Sequence, residues 1–198
     1  MDSDGFRANV GIILSNEDGR LLLAGRAGSK GWQFPQGGML EGESPQQAMY
    51  RELHEEVGLT SEDVAVLGAT VDWLRYRLPD RFIRHGSTPL CIGQKQRWFL
   101  LRLTGPEDRV NFDQSDTPEF DRWRWVDFWH PVKEVIYFKR RVYAQALNEL
   151  GPHLYPEGLP PQPRWWPKRW RNVFEKDLRR IDGLQSERFD DGKADHTE

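Results

Sequence analysis

Cysteine is nearly absent from this chain. Of 198 residues only Cys91 carries a thiol, so no internal disulfide can form, and a lone thiol fits a reducing cytosol. Histidine is also scarce, with five residues and no two at ligand spacing, so no imidazole-based metal site is expected. Long apolar runs are missing too. The N-terminus reads MDSDGF, with no basic region ahead of an apolar one, and the first apolar stretch is broken by Ser15, Asn16 and Glu17. Neither a signal peptide nor a membrane span is expected, and the expected location is cytoplasmic. The net charge is only -3, from 28 basic and 31 acidic residues. Residues 1–150 contain no internal repeat and no low-complexity tract.

What the chain does have is concentrated between Gly37 and Leu59, GGMLEGESPQQAMYRELHEEVGL, where acidic residues and helix start and stop signals are packed together. Ser44, Pro45 and Gln47 supply an N-cap, an N1 proline and the N3 partner of a capping box, which predicts a helix from Pro45. Gly58 is its expected stop. At ~100° per residue Met49, Tyr50, Leu53 and Val57 share one arc and form a core-facing stripe. Glu52, Glu55 and Glu56 crowd a different arc, and His54 falls on the outward side. Like charges at this spacing cost a few tenths of a kcal/mol per pair. Carboxylates are the ligands that hard cations such as Mg2+ or Mn2+ prefer, which would repay that cost. A solvated acidic face is the plainer alternative.

Along the chain, Arg7–Leu14 and Arg20–Gly25 flank a turn at 16–19 and predict a hairpin of buried strands. A short strand is expected at Trp32–Phe34, ended by Pro35 and Gly37. Further strands are expected at Val64–Thr70, Asp72–Leu78 and Gln94–Leu103, with a last half-buried one around Trp123, Trp125 and Val126. Val132–Leu150 has a helical period, with Val135, Phe138, Val142, Ala146 and Leu150 on one side and Gly151–Pro152 as its stop. The order predicts an α/β domain, a mixed sheet between helices, over residues 1–152.

The composition then changes. Residues 153–181 are rich in proline, tryptophan and arginine and are expected to form an extended C-terminal arm. Trp165, Trp166, Trp170 and Phe174 lie among Arg164, Lys168, Arg169 and Arg171, a mixture able to stack bases and hold phosphates or to dock the arm by burying its rings. Residues 182–198 have the composition of a disordered tail.

The stretch 37–59 matches the Nudix box, G-x5-E-x7-R-E-U-x-E-E-x-G-U with U apolar, at Gly37, Glu43, Arg51, Glu52, Leu53, Glu55, Glu56, Gly58 and Leu59. Residues 5 to about 150 resemble the bacterial RNA pyrophosphohydrolase family of Nudix hydrolases. The likeness also rests on Gly5, Arg7 and Asn9, and on WQFPQGG (32–38), WLRYRLP (73–79), CIGQKQRWFLL (91–101), TPEFDRWRWV (117–126) and FKRRVY (138–143). It departs after Gly151, where short family members have no counterpart, and at Gly31, where some relatives carry a small hydroxyl residue.

The resemblance implies the Nudix fold, an α/β/α sandwich with a mixed sheet. It implies hydrolysis at the 5′ end of triphosphorylated or diphosphorylated RNA to leave a monophosphate that promotes transcript decay, with no DNA or membrane partner. Whether a protein activates it is open. It implies a divalent cation, Mg2+ or Mn2+, held by Glu52, Glu55, Glu56, the carbonyl of Gly37, and Glu119 as a fourth carboxylate. Arg51 is expected to orient Glu52 or Glu55, with a phosphate contact as the lesser role. Glu43, just before the N-cap, suits the helix dipole. For the RNA, the resemblance points to Arg26, Ile136 and Phe138 as a base cleft, with Arg7 and Lys139 as cationic contacts. Ile136 and Phe138 are two apart and cannot both face inward on a helix, so one or both are expected in an irregular, exposed stretch. Lys95 and Arg97 are expected to point the same way and meet the triphosphate. A dinucleoside polyphosphate (diadenosine tetraphosphate) hydrolase shares the same metal site and is the main alternative; a catalytically silent RNA-binding module is a third.

Overall fold

A computed structural model of the chain describes residues 1–86, 88–114, 117–167 and 170. It divides into two compact units, Met1–Pro160 and Pro161–Glu198. The first unit holds a mixed sheet of eight strands: β1 (Phe6–Ser15), β2 (Leu21–Arg26), β3 (Trp32–Gln33), β4 (Gln36–Gly38), β5 (Val64–Ala69), β6 (Leu74–Arg77), β7 (Gly93–Leu103) and β8 (Phe120–Val126). Its helices are α1 (Pro45–Val57), α2 (His130–Glu134) and α3 (Arg140–Leu150).

The centre of the sheet is the parallel pair β1 and β7, in register from Phe6 opposite Gly93 to Ser15 opposite Arg102. Both faces of β1 are covered, which is why Val10 to Ser15 read as an unbroken buried run rather than an alternation. The other edge of β1 is shared by β2, through the 16–19 turn, and by β4, at Asn9 opposite Gly38. Beyond β7 lie β5 and β6, and β8 pairs with β2, all antiparallel.

On one face, Val10, Ile12, Leu14, Phe99, Leu101 and Leu103 pack with Ala48, Met49, Leu53 and Val57 of α1. The expected stripe is buried, with Tyr50 at its partly exposed border. Both ends of α1 form as local hydrogen bonding requires. The Gln47 N–H donates to Ser44 Oγ at 3.2 Å, the Ser44 N–H donates to Gln47 Oε1 at 2.9 Å, and Gly58 turns left-handed at φ 77°. On the opposite face, Phe34 stacks on Tyr143 of α3 at 4.9 Å, and Trp98 meets both rings edge-on. Gly11 is obligatory here, since a Cβ would strike the Trp98 indole.

Two sequence expectations need correction. A strand absent from the forecast, β4, continues past Pro35 because its backbone pairs with β1. The helix forecast over 132–150 is broken: Val135 and Ile136 are extended, Tyr137–Lys139 make a 3-10 turn, and α3 starts at Arg140. Periodicity misses the break because Val135 and Val142 are buried on both sides of it. The guanidinium of Arg140 donates to the carbonyls of Lys133 and Val135, capping α2 from the next helix.

The first unit reaches Pro160. Tyr155 Oη donates to the Gly19 carbonyl at 2.8 Å and its ring meets Phe128, while Trp129 Nε1 donates to the Pro160 carbonyl. In the second unit the indoles of Trp165, Trp166 and Trp170 follow one another at 5.7 and 5.5 Å. Lys168, Arg169, Arg171 and Phe174, and the tail from 182, lie outside the described residues.

Candidate active site

The site is built where α1 crosses β4. Gly37 has no side chain to present, and the Glu52 carboxylate fills the space in which its Cβ would lie. Glu52 is 7% exposed, and burial pushes its carboxyl above the ordinary range against the pull of Arg51 beside it. One turn on, Glu56 Oε2 accepts the Gln36 N–H at 2.7 Å. Burial raises the Glu56 carboxyl well above the usual carboxylate range, and the charges of Glu52 and Glu119 push the same way. Two acidic groups are thus held against the backbone of Gln36–Gly37.

Arg51 explains how the acids stay in place. Its Nε and Nη2 form a fork on Glu43 at 2.9 and 3.0 Å, Nη1 donates to Glu52 at 2.7 Å and Glu55 at 3.0 Å, and Nη2 also donates to the Gly38 carbonyl at 2.8 Å. All five donors of the guanidinium are used, which leaves none for a phosphate. The Glu43 carboxyl is lowered chiefly by that fork, and its two oxygens anchor Arg51. It also accepts the Leu40 N–H, closing the loop ahead of α1.

Glu119 stands at the rim, its side chain 41% exposed, accepting from Gln33 Nε2 at 3.3 Å and paired with Arg26 Nε at 3.2 Å. Among the described residues no three acidic or imidazole groups converge on one point. Glu52 and Glu55 each give an oxygen to Arg51, so the inward pair is Glu52 and Glu56, with Glu119 within electrostatic reach of Glu56. This oxygen-only set, with Glu52 and Glu56 buried and mutually repelling, fits a hard divalent cation.

Lys139 is 9% exposed and donates to Gln36 Oε1 at 3.1 Å. Burial draws its ammonium down to about 8, with Arg26 acting in the same sense and Glu119 and Glu56 opposing. Gln36 therefore joins the acids to the cation: its N–H holds Glu56 and its side chain holds Lys139. Sequence reading missed it. The one available signal was a polar residue between Pro35 and the first box glycine. Phe138, half-buried, packs on Tyr76 at 5.8 Å and Phe82 at 5.1 Å, and Ile136 is 41% exposed, as their spacing required. Arg7 lies across Gly38, whose missing Cβ makes room for its guanidinium.

Lys95 and Arg97 lie apart from this group. They do share a face, but alternation along β7 places it on the α1 side, with Phe99 and Leu101, while Gln96, linked to Gln36, is on the Lys139 side. There Lys95 pairs with Asp2 at 3.1 Å and lies over Trp73, and Arg97 donates to the Val71 carbonyl.

The match to known proteins agrees with this geometry. Residues 5–148 match the model of the NUDIX domain, and the chain belongs to the Nudix family. Among its relatives it is similar to the RNA pyrophosphohydrolase of Alkalilimnicola ehrlichii, 64% identical over 82% of this chain and 90% of that protein. It is likewise similar to the RNA pyrophosphohydrolases of Halorhodospira halophila, 65% identical over 78% and 84%, and of Pseudomonas aeruginosa, 59% identical over 78% and 97%. By structure it is similar to an Ap4A hydrolase of C. elegans, with TM-score 0.56, 20% identity, and 76% and 98% of the two chains covered. The E. coli dihydroneopterin triphosphate pyrophosphohydrolase gives 0.55, 21%, and 71% and 95%. Likeness at these identities establishes the Nudix fold alone.

Proposed function

We propose that this protein is a metal-dependent RNA 5′ pyrophosphohydrolase, removing pyrophosphate from triphosphorylated RNA, or phosphate from diphosphorylated RNA, to leave a 5′ monophosphate in the cytoplasm. The observation that carries the reading is the 59–65% identity, over most of both chains, to proteins named for that activity. Water adds to a phosphorus of the 5′ phosphate chain, the anhydride bond breaks, and the leaving phosphate departs with the bridging oxygen. Glu52, Glu55, Glu56, Glu119 and the Gly37 carbonyl would hold Mg2+ or Mn2+, which would supply neutralisation of the phosphate oxygens and a water of lowered pKa.

The chain's own groups do the rest. Arg51 holds Glu52 and Glu55 in orientation. The Gln36 N–H keeps Glu56 turned inward. Lys139 and Arg26 provide positive charge beside the acids, where a polyphosphate is attracted and its developing charge stabilised. Phe138 and Ile136 offer apolar surface for an unstacked base, with Arg7 on the same side of the sheet.

The direct test compares turnover of 5′-triphosphorylated RNA with that of diadenosine tetraphosphate at equal concentration, in Mg2+ and in Mn2+. The reading expects RNA to be the better substrate and 5′-monophosphorylated RNA to be the product. Preference for the dinucleotide by tenfold or more would reverse it.

A further inference from the structure

The aromatic surface does not end at Phe138. Phe82, 40% exposed, and Tyr137, 52% exposed, both pack on Phe138, at 5.1 and 5.4 Å, and continue outward from it. Arg81 bridges them: its guanidinium carbon lies 5.0 Å from the Phe82 ring centre and 5.6 Å from that of Tyr137, and Nη2 donates to Tyr137 Oη at 3.4 Å. Two elements remote in sequence build this ledge, the 3-10 turn Asp80–Phe82 after β6 and the 3-10 turn Tyr137–Lys139 before α3. Exposed rings of this size are costly to leave in water, and helical or strand packing does not require them here.

The ledge has a direction. From the acids inward of β4 the contacts run Glu56, Gln36, Lys139, then Tyr76, over whose ring Lys139 Nζ lies at 5.7 Å, then Phe138, and last the rings bridged by Arg81. Anion-binding chemistry lies at one end and a cation-bridged pair of rings at the other. A polynucleotide presents the same sequence of chemistries: terminal phosphates, a base, then a phosphodiester and the next base.

We propose that Arg81, Phe82 and Tyr137 form a second nucleotide-binding platform, which holds the RNA nucleotide downstream of the one at Phe138 by stacking its base on the outer rings and pairing a phosphodiester with Arg81. This rests on the functional reading above and deepens it, because it makes the protein measure substrate length. Single-stranded RNA is favoured over a protein partner because the ledge is continuous with the base cleft and carries a cation between its rings, the combination that tolerates any base.

The test uses the full-length protein and 5′-triphosphorylated oligoribonucleotides from dinucleotide to octamer. Wild type should gain about tenfold in kcat/KM at the length that reaches the ledge, equivalent to ~1.4 kcal/mol and within the range for one stacked base. Tyr137→Ser should remove that gain. Arg81→Glu, which leaves both rings in place, should remove it too and reduce the salt slope for octamer binding by about 0.7. A wild type inert on every RNA would overturn the functional reading itself. A wild type that is active but shows no gain with length, variants that keep the gain, or variants that lose activity equally on dinucleotide and octamer would each overturn the platform while leaving that reading intact.

Discussion

The carboxylate of Glu52 occupies the position that a side chain on Gly37 would need, so the first glycine of the box and the first glutamate of its acidic cluster are two halves of one contact. The glycine is there for proximity and not for a turn: Gly37 lies in β4, opposite Val10 of β1. Helix and strand can approach only because one of them contributes nothing but backbone.

Gly37→Ala is accordingly expected to displace the Glu52 carboxylate or to push α1 off β4. Overpacking of this kind costs roughly 1–3 kcal/mol. Turnover should fall by about 100-fold or more, because an acid that holds the charge-stabilising cation is moved. Rates and thermal midpoints measured together check it, and unchanged values of both would refute the contact.

Glu52→Gln and Glu56→Gln should each cost at least about 100-fold in turnover, yet they should part in stability. Glu56 is buried with its carboxyl raised and has no cationic hydrogen-bond partner among the described residues, so its amide should leave the midpoint unchanged or higher. Glu52 shares a 2.7 Å ion pair with Arg51, so its amide should lower the midpoint. Differential scanning calorimetry of the metal-free proteins distinguishes the two.

Arg51→Lys preserves the charge and loses the fork. An ammonium cannot bond both oxygens of Glu43 and also reach Glu52, Glu55 and the Gly38 carbonyl. A loss of roughly 1–3 kcal/mol in stability is expected, with kcat reduced more than KM is raised, since the residue orients acids rather than binding phosphate. A rise in KM alone would instead point to a phosphate contact.

Asp63 gives a pH dependence away from the site. Its carboxylate accepts the Thr60 N–H and hydroxyl, and pairs with Arg109, and these contacts, the Thr60 N–H first, hold its carboxyl below the ordinary range. A lowered folded-state pKa adds stability that is complete above the unfolded-state pKa near 4 and is lost as pH falls through the folded-state value. Asp63→Asn should lower the midpoint at neutral pH by an amount equivalent to roughly 1–3 kcal/mol, and the gap to wild type should close below pH 4. Thermal melts across an acid series measure it.

The chain by itself determined the features whose causes are local. Ser44, Pro45, Gln47 and Gly58 define α1 to the residue because its caps are hydrogen bonds between neighbours in sequence. The apolar stripe of α1 and the strands β1, β2 and β7 follow from period and composition. The acidic cluster was legible because helical spacing places Glu52, Glu55 and Glu56 on one arc, and the family because the stretch from Gly37 to Leu59 matches the whole box and not the acids alone.

Tertiary structure decided whatever depends on a partner distant in sequence. β4 is three residues long and is a strand only because β1 pairs with it. Glu43 and Arg51 are eight apart, and their fork exists because the loop ahead of α1 folds back along the helix. Which face Lys95 and Arg97 present was fixed by the register of β7 beside β1, which sets them among the α1-side residues and apart from Lys139. The burial of Glu56 came from packing as well. A carboxylate ordinarily favours water, and its place under β4 reflects the surrounding structure closing over it, which no pattern of residues along the chain records.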